Sequence, residues 1–344
     1  MALVAPRRRP ARSEIFWTLG SFLALTTLFV VYVEVWHPEW YDREHQVRRE
    51  LLNDRTAEAP DRPVVLVAGS SRVVVAFMPE RLGPIRDKDG REALIFNYAH
   101  LGAGPRVNLI QLQRALRDGV RPMHLVCEIV SGMLHHDDLP VKEISLPEIG
   151  VLWPHSNKVR LVASSIGFRF NGVYRPRTAL LRSVAPKWVT RSATDKDVAL
   201  LALGGDDHWS RLDEPSEDEK KLLFKLAVIR FKSRMESYRL DPKLVGATRE
   251  LMDICQRENI KLTMFLSPED SRFRSWYRPG AEEVLLGFIE ELRAAGVAVV
   301  DGRLWVPDDK FTDPHHVKTD GAEQFTDRLE RELLRPLISG QIAR

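Results

Sequence analysis

Cysteine is scarce in this sequence, with two in 344 residues, and neither lies in a spacing typical of a metal site or a redox pair. There is no CxxC and no HExxH, and no spacing of histidine and cysteine implies a metal, so we predict no metal site and no other cofactor. Cys127 falls in an apolar strand-like run and Cys255 in a helix-like one. Both settings favour small buried side chains, and two cysteines alone do not establish a disulfide.

An excess of charge is also absent from most of the chain. The whole sequence holds 51 lysines and arginines against 48 acidic residues. Residues 1–14 contribute four of the arginines and one glutamate, which leaves 47 basic and 47 acidic side chains in the remainder. Because the chain after residue 14 has no net charge, it does not indicate a basic surface that would bind a polyanion. Nucleic acid is therefore not an expected partner. With 44% hydrophobic and 29% charged residues and no internal repeat, the composition is typical of a globular protein.

One long stretch has no charged side chain at all. Residues 15–33 read IFWTLGSFLALTTLFVVYV, and aromatic residues cluster at both ends of the stretch. As a helix, these nineteen residues span about 28 Å, close to the thickness of the bilayer hydrocarbon. A buried core helix usually has a polar face, and a cleaved signal peptide usually ends in a small-x-small motif, which is missing after Tyr32. We therefore predict an uncleaved membrane anchor.

The charges beside this stretch predict its orientation. The arginines precede it and the residues after it are mixed in sign, so the positive-inside rule places the N-terminus in the cytoplasm. The expected organisation is a basic cytoplasmic tail at 1–14, a single transmembrane anchor at 15–36 and a juxtamembrane helix or stalk at 37–60. An extracytoplasmic domain would then occupy 61–337.

After residue 60, short apolar runs alternate with amphipathic segments. Strand-like runs are expected at 64–68, 93–97, 123–130, 260–266 and 297–301. Helical periods fall at 106–119, 243–259 and 281–295. This order predicts right-handed crossovers and hence an α/β fold, with a mainly parallel five-stranded sheet between two helical layers. Prolines and charged runs interrupt the pattern at 136–242, where we expect a largely helical insertion that caps one end of the sheet.

Two short polar stretches are candidates for chemistry. The first is Gly-Ser-Ser at 69–71, directly after the first strand-like run. It is either a strand that delivers a nucleophile into a turn or a helix with a serine N-cap. The second is FTDPHHV at 311–317, in which Asp313 stands three residues before His316. A base with a carboxylate that orients it is what a serine hydroxyl needs to act as a nucleophile. Alone, this stretch is equally consistent with a polar turn before the last helix.

Together the two stretches resemble the SGNH (GDSL-type) hydrolase superfamily. Its first block is a strand that ends in Gly-Asp-Ser, and its last block has aspartate and histidine three residues apart before the final helix. The resemblance implies a three-layer αβα fold with Ser71 as the nucleophile, His316 as the base and Asp313 as the acid that orients it. Gly102 is similar to the glycine of the second block, whose amide helps to form an oxyanion hole.

The third block departs from the family pattern. Its usual Gly-x-Asn-Asp is missing, and the chain after the third strand-like run reads EIVSG at 128–132. Ser131 or a backbone amide is the expected substitute for the missing oxyanion donor. Five further residues beside the blocks are expected to line the pocket: Ser70, which replaces the family's aspartate, Arg72, Asn97, Glu128 and His315, which competes with its neighbour for the role of the base.

The resemblance implies a serine enzyme that acts on acyl esters. The superfamily contains esterases and lipases, and also membrane-tethered proteins of alginate O-acetylation and teichoic-acid D-alanylation. The single anchor, the altered blocks and the insertion are most similar to the tethered group. This implies acyl transfer or deacylation on an envelope glycan or lipid, with a membrane-embedded protein as acyl donor. The alternative is a catalytically inactive scaffold that binds a glycan or recruits a membrane partner.

Overall fold

A computed structural model describes residues 11–36, 42–137, 139, 141–170 and 216–341. In these ranges the helices are α1 (Ala11–Trp36), α2 (Arg43–Glu58), α3 (Ser71–Ala76), α4 (Pro105–Arg117), α5 (Ser131–His135), α6 (Leu146–Leu152), α7 (Lys158–Phe170), α8 (Glu217–Ala227), α9 (Ser233–Glu236), α10 (Pro242–Arg257), α11 (Ser271–Arg274), α12 (Pro279–Ala294), α13 (Thr319–Leu329) and α14 (Arg335–Ile338). The strands are β1 (Val64–Ala68), β2 (Leu94–Asn97), β3 (His124–Glu128), β4 (Lys261–Leu266) and β5 (Ala298–Asp301). Two π-helical segments follow α8 and α13, Val228–Lys232 and Glu330–Leu334.

The chain divides into two compact units. The first comprises 1–43, 140–150 and 157–190, and the second comprises 44–139, 151–156 and 191–344. In the first unit, α1 contains a 22-residue segment, 13–34, that is long and apolar enough to cross a membrane. Its large apolar side chains are mostly exposed, as a lipid-facing helix requires. An N-terminal signal sequence has the same length and composition, so these features suit either one.

The sheet lies in the second unit and confirms the predicted fold class. Its strand order is β2-β1-β3-β4-β5, and every neighbouring pair is parallel. In the register, Val67 pairs with Asn97, Ala68 with Cys127, and Glu128 with Phe265. Strands covered by helices on both faces read as continuous apolar runs, which is why VVLVA forms the buried β1.

Alternate strand residues face two separate hydrophobic cores. Leu66, Leu125 and Met264 belong to the core that contains the apolar faces of α4, α10 and α12. Val67 and Phe265 belong to the other core, which contains α3 and α13. The sheet is therefore the middle layer of an αβα sandwich. Both cysteines are buried and unpaired in the first of these cores, and burial raises the pKa of the Cys255 thiol to about 12.

In the parts that the structure describes, the predicted insertion is largely helical. The first part, at 141–170, contains α6 and α7, and the second, at 216–241, contains α8, the π-helical segment Val228–Lys232 and α9. Residues 171–215 of the insertion lie outside the described residues. In the second unit, the aromatic ring of Phe231 lies 4.9 Å from that of His315. The π-helical segment therefore packs beside the loop between β5 and α13, which we call the histidine loop.

From Glu44 onward, helix α2 belongs to the second unit and packs against its core. Leu52 is 1% exposed and belongs to the core that also contains α4. His45 Nδ1 lies 3.1 Å from Gln111 Oε1, and Arg48 Nη1 donates to the carbonyl of Asn97 at 3.0 Å. These buried polar contacts hold α2 against β2 and α4.

The order of the strands determines where a site is expected. From β1 the chain crosses to β2 at the edge of the sheet, and it then returns to the other side of β1 to form β3. Crossovers that diverge from adjacent parallel strands leave a crevice at the strands' carboxyl ends. Gly-Ser-Ser at 69–71 follows β1 directly, and Glu128 ends β3, so both lie at this edge.

Candidate active site

In the turn after β1, one serine caps the helix and the other is the first residue of the helix. Ser70 is the N-cap of α3, and its Oγ accepts a hydrogen bond from the amide of Arg72 at 3.2 Å. Ser71 is the first residue of α3 and is half-buried. Because the Ser70 side chain accepts the free amide at the start of the helix, the Ser71 hydroxyl is available for other contacts.

Ser71, His316 and Asp313 form a continuous hydrogen-bonded chain. Ser71 Oγ lies 2.9 Å from His316 Nε2, and His316 Nδ1 lies 2.7 Å from Asp313 Oδ2. The second carboxylate oxygen, Asp313 Oδ1, accepts the backbone amides of His315 and His316, both at 2.8 Å. The fold therefore joins residues 245 positions apart in a geometry that suits nucleophilic catalysis.

The loop between β5 and α13 orients the histidine. A bridge between Phe311 and Val317 closes the loop, and the amide of Thr312 donates to the carbonyl of His316 at 2.9 Å. Asp313 is 5% exposed. Burial alone would raise the pKa of its carboxyl, but the neighbouring imidazoles of His316 and His315 and the hydrogen bond from His316 lower this pKa well below its usual range. Asp313 is thus an ionised acceptor for the Nδ1 proton of His316.

His315 is placed differently from its neighbour. It is buried, and its ring packs against those of Phe231 at 4.9 Å and Phe273 at 5.8 Å. Burial, together with the charge of His316, lowers the pKa of His315 to about 4 against the opposing effect of Asp313. Its Nδ1 is 3.0 Å from Asp313 Oδ1 but outside hydrogen-bond geometry. Of the two histidines, His316 is the one hydrogen-bonded to Ser71, and His315 packs in the interior of the loop.

The same loop has the ligand types of a metal site. Asp313, His315 and His316 offer three such atoms within 4.8 Å of one another. Both ring nitrogens of His316 are hydrogen-bonded, one to Ser71 and one to Asp313, so a metal would have to displace one of these contacts. The hydrogen-bonded arrangement therefore fits the residues better than a metal centre.

Gly102 lies in a loop that is hydrogen-bonded to the turn at 69–71. Its φ of +72° is in the left-handed region that favours glycine. The amide of His100 donates to the carbonyl of Gly69 at 2.8 Å, and the amide of Leu101 donates to Glu44 Oε1 at 3.1 Å. These two contacts hold the glycine loop beside Ser71, and the oxyanion role of Gly102 stays a prediction.

Asn97, which was expected to line the pocket, has its side chain hydrogen-bonded to the backbone around α3. Its Nδ2 donates to the carbonyls of Val73 at 3.3 Å and Phe77 at 3.0 Å, and its Oδ1 accepts the amide of Ala99 at 3.2 Å. The side chain thus satisfies carbonyls at the C-terminal end of α3. It holds the helix in place from the end opposite Ser71.

Three further predicted residues are buried: Arg72, Ser70 and Glu128 are 4%, 1% and 3% exposed. Glu128 Oε2 accepts the amide of Ser70 at 2.7 Å. Arg72 Nε lies 3.6 Å from Glu128 Oε1, and its Nη1 lies 3.5 Å from Glu269 Oε1. A buried charge needs partners of opposite sign, and these two carboxylates satisfy that need. They form a cluster beneath the turn at 69–71.

Ser131 belongs to the same cluster, and its role as an oxyanion donor stays a prediction. Its Oγ lies 2.5 Å from Tyr277 Oη, and that hydroxyl donates to Glu269 Oε1 at 3.0 Å. Burial raises the pKa of Glu269, although the charge of Arg72 opposes the shift. The sequence analysis missed Glu269 and Tyr277. The signal that was available was an acidic pair, Glu269 and Asp270, immediately after a strand that ends at the same edge of the sheet.

Gly69 leaves no room for a side chain. A Cβ at this position would lie 2.5 Å from Val73 Cγ2 and 2.8 Å from Glu128 Cβ. We expect Gly69→Ala to destabilise the fold by about 1 to 3 kcal/mol, because these neighbours must shift. The measurement is the urea midpoint of the purified protein. Gly287→Ala on α12 is the matched control: a Cβ there meets nothing within 4 Å, and the change should raise the midpoint. Equal midpoints for the two variants would contradict this packing.

The fold and the geometry define a class of protein. It is an α/β protein in which a serine, a histidine and an aspartate form a hydrogen-bonded chain at the carboxyl edge of a parallel sheet. A protein-family model matches residues 205–337, which include β4, β5 and the histidine loop but less than half of the chain. No curated protein sequence matches the chain.

Ten chains of solved structures match this one, including the following two. One is a provisionally assigned acylhydrolase from Bacteroides fragilis, with 9% identity, coverage of 83% of this chain and 94% of that chain, and a TM-score of 0.39. The other is a provisionally assigned platelet activating factor protein from Streptococcus pneumoniae, with 12% identity, coverage of 89% and 99%, and a TM-score of 0.37. At these scores the likenesses carry no argument about activity, which rests on the site.

Proposed function

We propose that this protein is a serine acyl-ester enzyme of the SGNH type. The hydrogen-bonded chain from Ser71 Oγ through His316 to Asp313, with distances of 2.9 and 2.7 Å, carries the proposal. A serine hydroxyl is a weak nucleophile unless a base takes its proton, and here an imidazole lies within reach with a carboxylate that fixes its tautomer.

The reaction has two steps. Ser71 Oγ attacks the ester carbonyl while His316 Nε2 takes the hydroxyl proton, and the imidazolium then returns that proton to the departing alcohol. Water or an acceptor hydroxyl next attacks the acyl-enzyme and loses its proton to His316. The bond between the acyl carbon and Ser71 Oγ then breaks, and His316 returns the proton to Ser71 Oγ. The amides of Ser71 and Gly102 are the proposed donors to the oxyanion. Water as the second nucleophile gives hydrolysis, and a sugar hydroxyl gives acyl transfer.

A fluorophosphonate probe tests this proposal directly, because it reacts only with an activated serine. We expect wild-type protein to be labelled and the adduct to map to Ser71. A folded protein that takes up no label would instead favour the inactive scaffold. Turnover of p-nitrophenyl acetate with and without an oligosaccharide, with mass detection of acylated sugar, distinguishes transfer from hydrolysis.

The proposed setting is the outer side of a membrane, with an envelope glycan or lipid ester as substrate and a membrane-embedded protein as acyl donor. The apolar, exposed surface of α1 supports anchoring. The arginines that precede it support a cytoplasmic N-terminus.

Cysteine labelling in intact cells checks this topology. Both native cysteines are buried, so background labelling should be low. We expect Gln341→Cys, at an exposed position, to react with a membrane-impermeant maleimide in intact cells. Ala5→Cys should react only after permeabilisation. Loss of the residue-5 cysteine from the mature chain would indicate a cleaved signal, and reversed labelling would overturn the orientation.

A further inference from the structure

Arg72 has an unusual position for a charged residue next to a nucleophile. It follows Ser71 directly, yet its side chain points into the protein and is 4% exposed. Its Nη2 donates to two successive carbonyls, those of Ser267 at 2.8 Å and Pro268 at 2.7 Å. The guanidinium therefore joins the start of α3 to the loop that follows β4.

That loop in turn holds the histidine loop. The amide of Asp270 donates to the carbonyl of Pro314 at 3.2 Å, and Pro314 lies between Asp313 and His315. The path from Arg72 through Pro268 and Asp270 to Pro314 is short and consists of hydrogen bonds and a few covalent links. It connects the two loops that carry Ser71 and His316.

Aromatic packing makes a second connection between the same parts. The guanidinium carbon of Arg72 lies 5.9 Å from the centre of the Phe273 ring, and that ring lies 5.8 Å from His315. Arg72 thus reaches the histidine loop both by hydrogen bonds and by a cation–π contact.

The cluster around Arg72 is a costly way to stabilise a fold. Glu128 and Glu269 are both buried, and four polar atoms in the cluster have no hydrogen-bond partner among the described residues: Arg72 Nε, Glu128 Oε1, Glu269 Oε2 and Ser267 Oγ. Well-packed apolar side chains often stabilise a core as well as buried ion pairs do, or better. A role in placing the reacting groups explains why charge is located here.

We propose that Arg72 is a positioning residue that sets the distance between Ser71 Oγ and His316 Nε2, with Glu128 and Glu269 holding its guanidinium in place. This inference rests on the proposed function. Arg72 touches neither the substrate nor the reacting atoms in this role, and it acts through the loop at 267–270.

The test uses two variants of the full chain. Arg72→Lys keeps the charge but loses the paired donation to two carbonyls. The triple variant Arg72→Met, Glu128→Gln, Glu269→Gln leaves no charge in the cluster and so avoids unpaired buried carboxylates. We expect the limiting rate of fluorophosphonate labelling to fall about tenfold in the first and about 100-fold in the second, because misplacement of about 1 Å costs that much.

The split between parameters distinguishes positioning from general damage. In p-nitrophenyl acetate turnover, kcat should fall with the labelling rate while KM stays near its wild-type value. Arg114→Met is the matched control, since Arg114 is a buried arginine on α4 outside the cluster. It should lower the thermal midpoint but label at a rate within about twofold of wild type, as expected for an independent site.

The outcomes are separable. If wild-type protein takes up no label, the proposed function fails. If wild type is labelled and both folded Arg72 variants are labelled at the wild-type rate, the positioning role is overturned. If the triple variant does not fold, Arg72→Lys decides alone, and equal slowing in Arg72→Lys and Arg114→Met also overturns the proposal.

Discussion

Replacement of Ser71 by alanine should abolish fluorophosphonate labelling and lower ester turnover by about 10⁴-fold or more. The reason is that Ser71 Oγ is the hydroxyl within 2.9 Å of His316 Nε2, and no covalent acyl-enzyme forms without it. The fold should be unaffected, because Ser70 provides the N-cap of α3. The measurements are gel detection of the label, kcat with p-nitrophenyl acetate, and the urea midpoint.

Ser70→Ala is the control for this variant. The Ser70 hydroxyl accepts the amide of Arg72, so its loss should cost about 1 kcal/mol of unfolding free energy. Labelling should persist, because the nucleophile remains. If instead Ser71→Ala is labelled and Ser70→Ala is not, the register of the two serines is reversed from that proposed.

Replacement of Asp313 by asparagine should lower kcat by about 10⁴-fold. One carboxylate oxygen accepts from His316 Nδ1 at 2.7 Å, and the other accepts two backbone amides. An asparagine amide offers only one acceptor oxygen, so either the loop amides or the imidazole faces an NH₂ group. With the NH₂ group toward Nδ1, the tautomer in which Nε2 is protonated is favoured, and that tautomer is unable to take the proton of Ser71.

Asp309→Asn is the matched control, because Asp309 is an exposed acid near the same loop. It should leave kcat and the urea midpoint near wild type. If Asp313→Asn retains full turnover with intact folding, another group orients the base and the assignment of the acid is wrong. A change in KM alone would place Asp313 in substrate binding instead.

The fold could be predicted from the sequence because its strands are short, mainly apolar and separated by amphipathic helices. The expected runs at 64–68 and 260–266 correspond to β1 (Val64–Ala68) and β4 (Lys261–Leu266). Boundaries were less accurate where the strand continues into an apolar loop. The run at 123–130 ends as β3 at Glu128, although Ile129 and Val130 are also buried.

The three residues of the hydrogen-bonded chain were named from the resemblance of their two stretches to the first and last blocks of the SGNH superfamily. The residues that pair with the charged side chains near the site could not be predicted. Arg72 has the local pattern of an exposed residue in a first helical turn, and its burial depends on Glu269, which lies on another strand's loop. Asn97 was predicted to line the pocket. Its hydrogen bonds to carbonyls at the end of α3 are likewise tertiary contacts, which the local sequence pattern does not show.

The packing of α2 has a practical consequence for preparing a soluble form. Residues 37–60 have the composition of a dispensable linker, and the predicted domain starts at residue 61. Yet Glu44 accepts the amide of Leu101 in the glycine loop, and Arg48 donates to the carbonyl of Asn97. A chain truncated at residue 61 would lose both contacts and expose the core around Leu52. Expression without the apolar helix should therefore begin before Glu44.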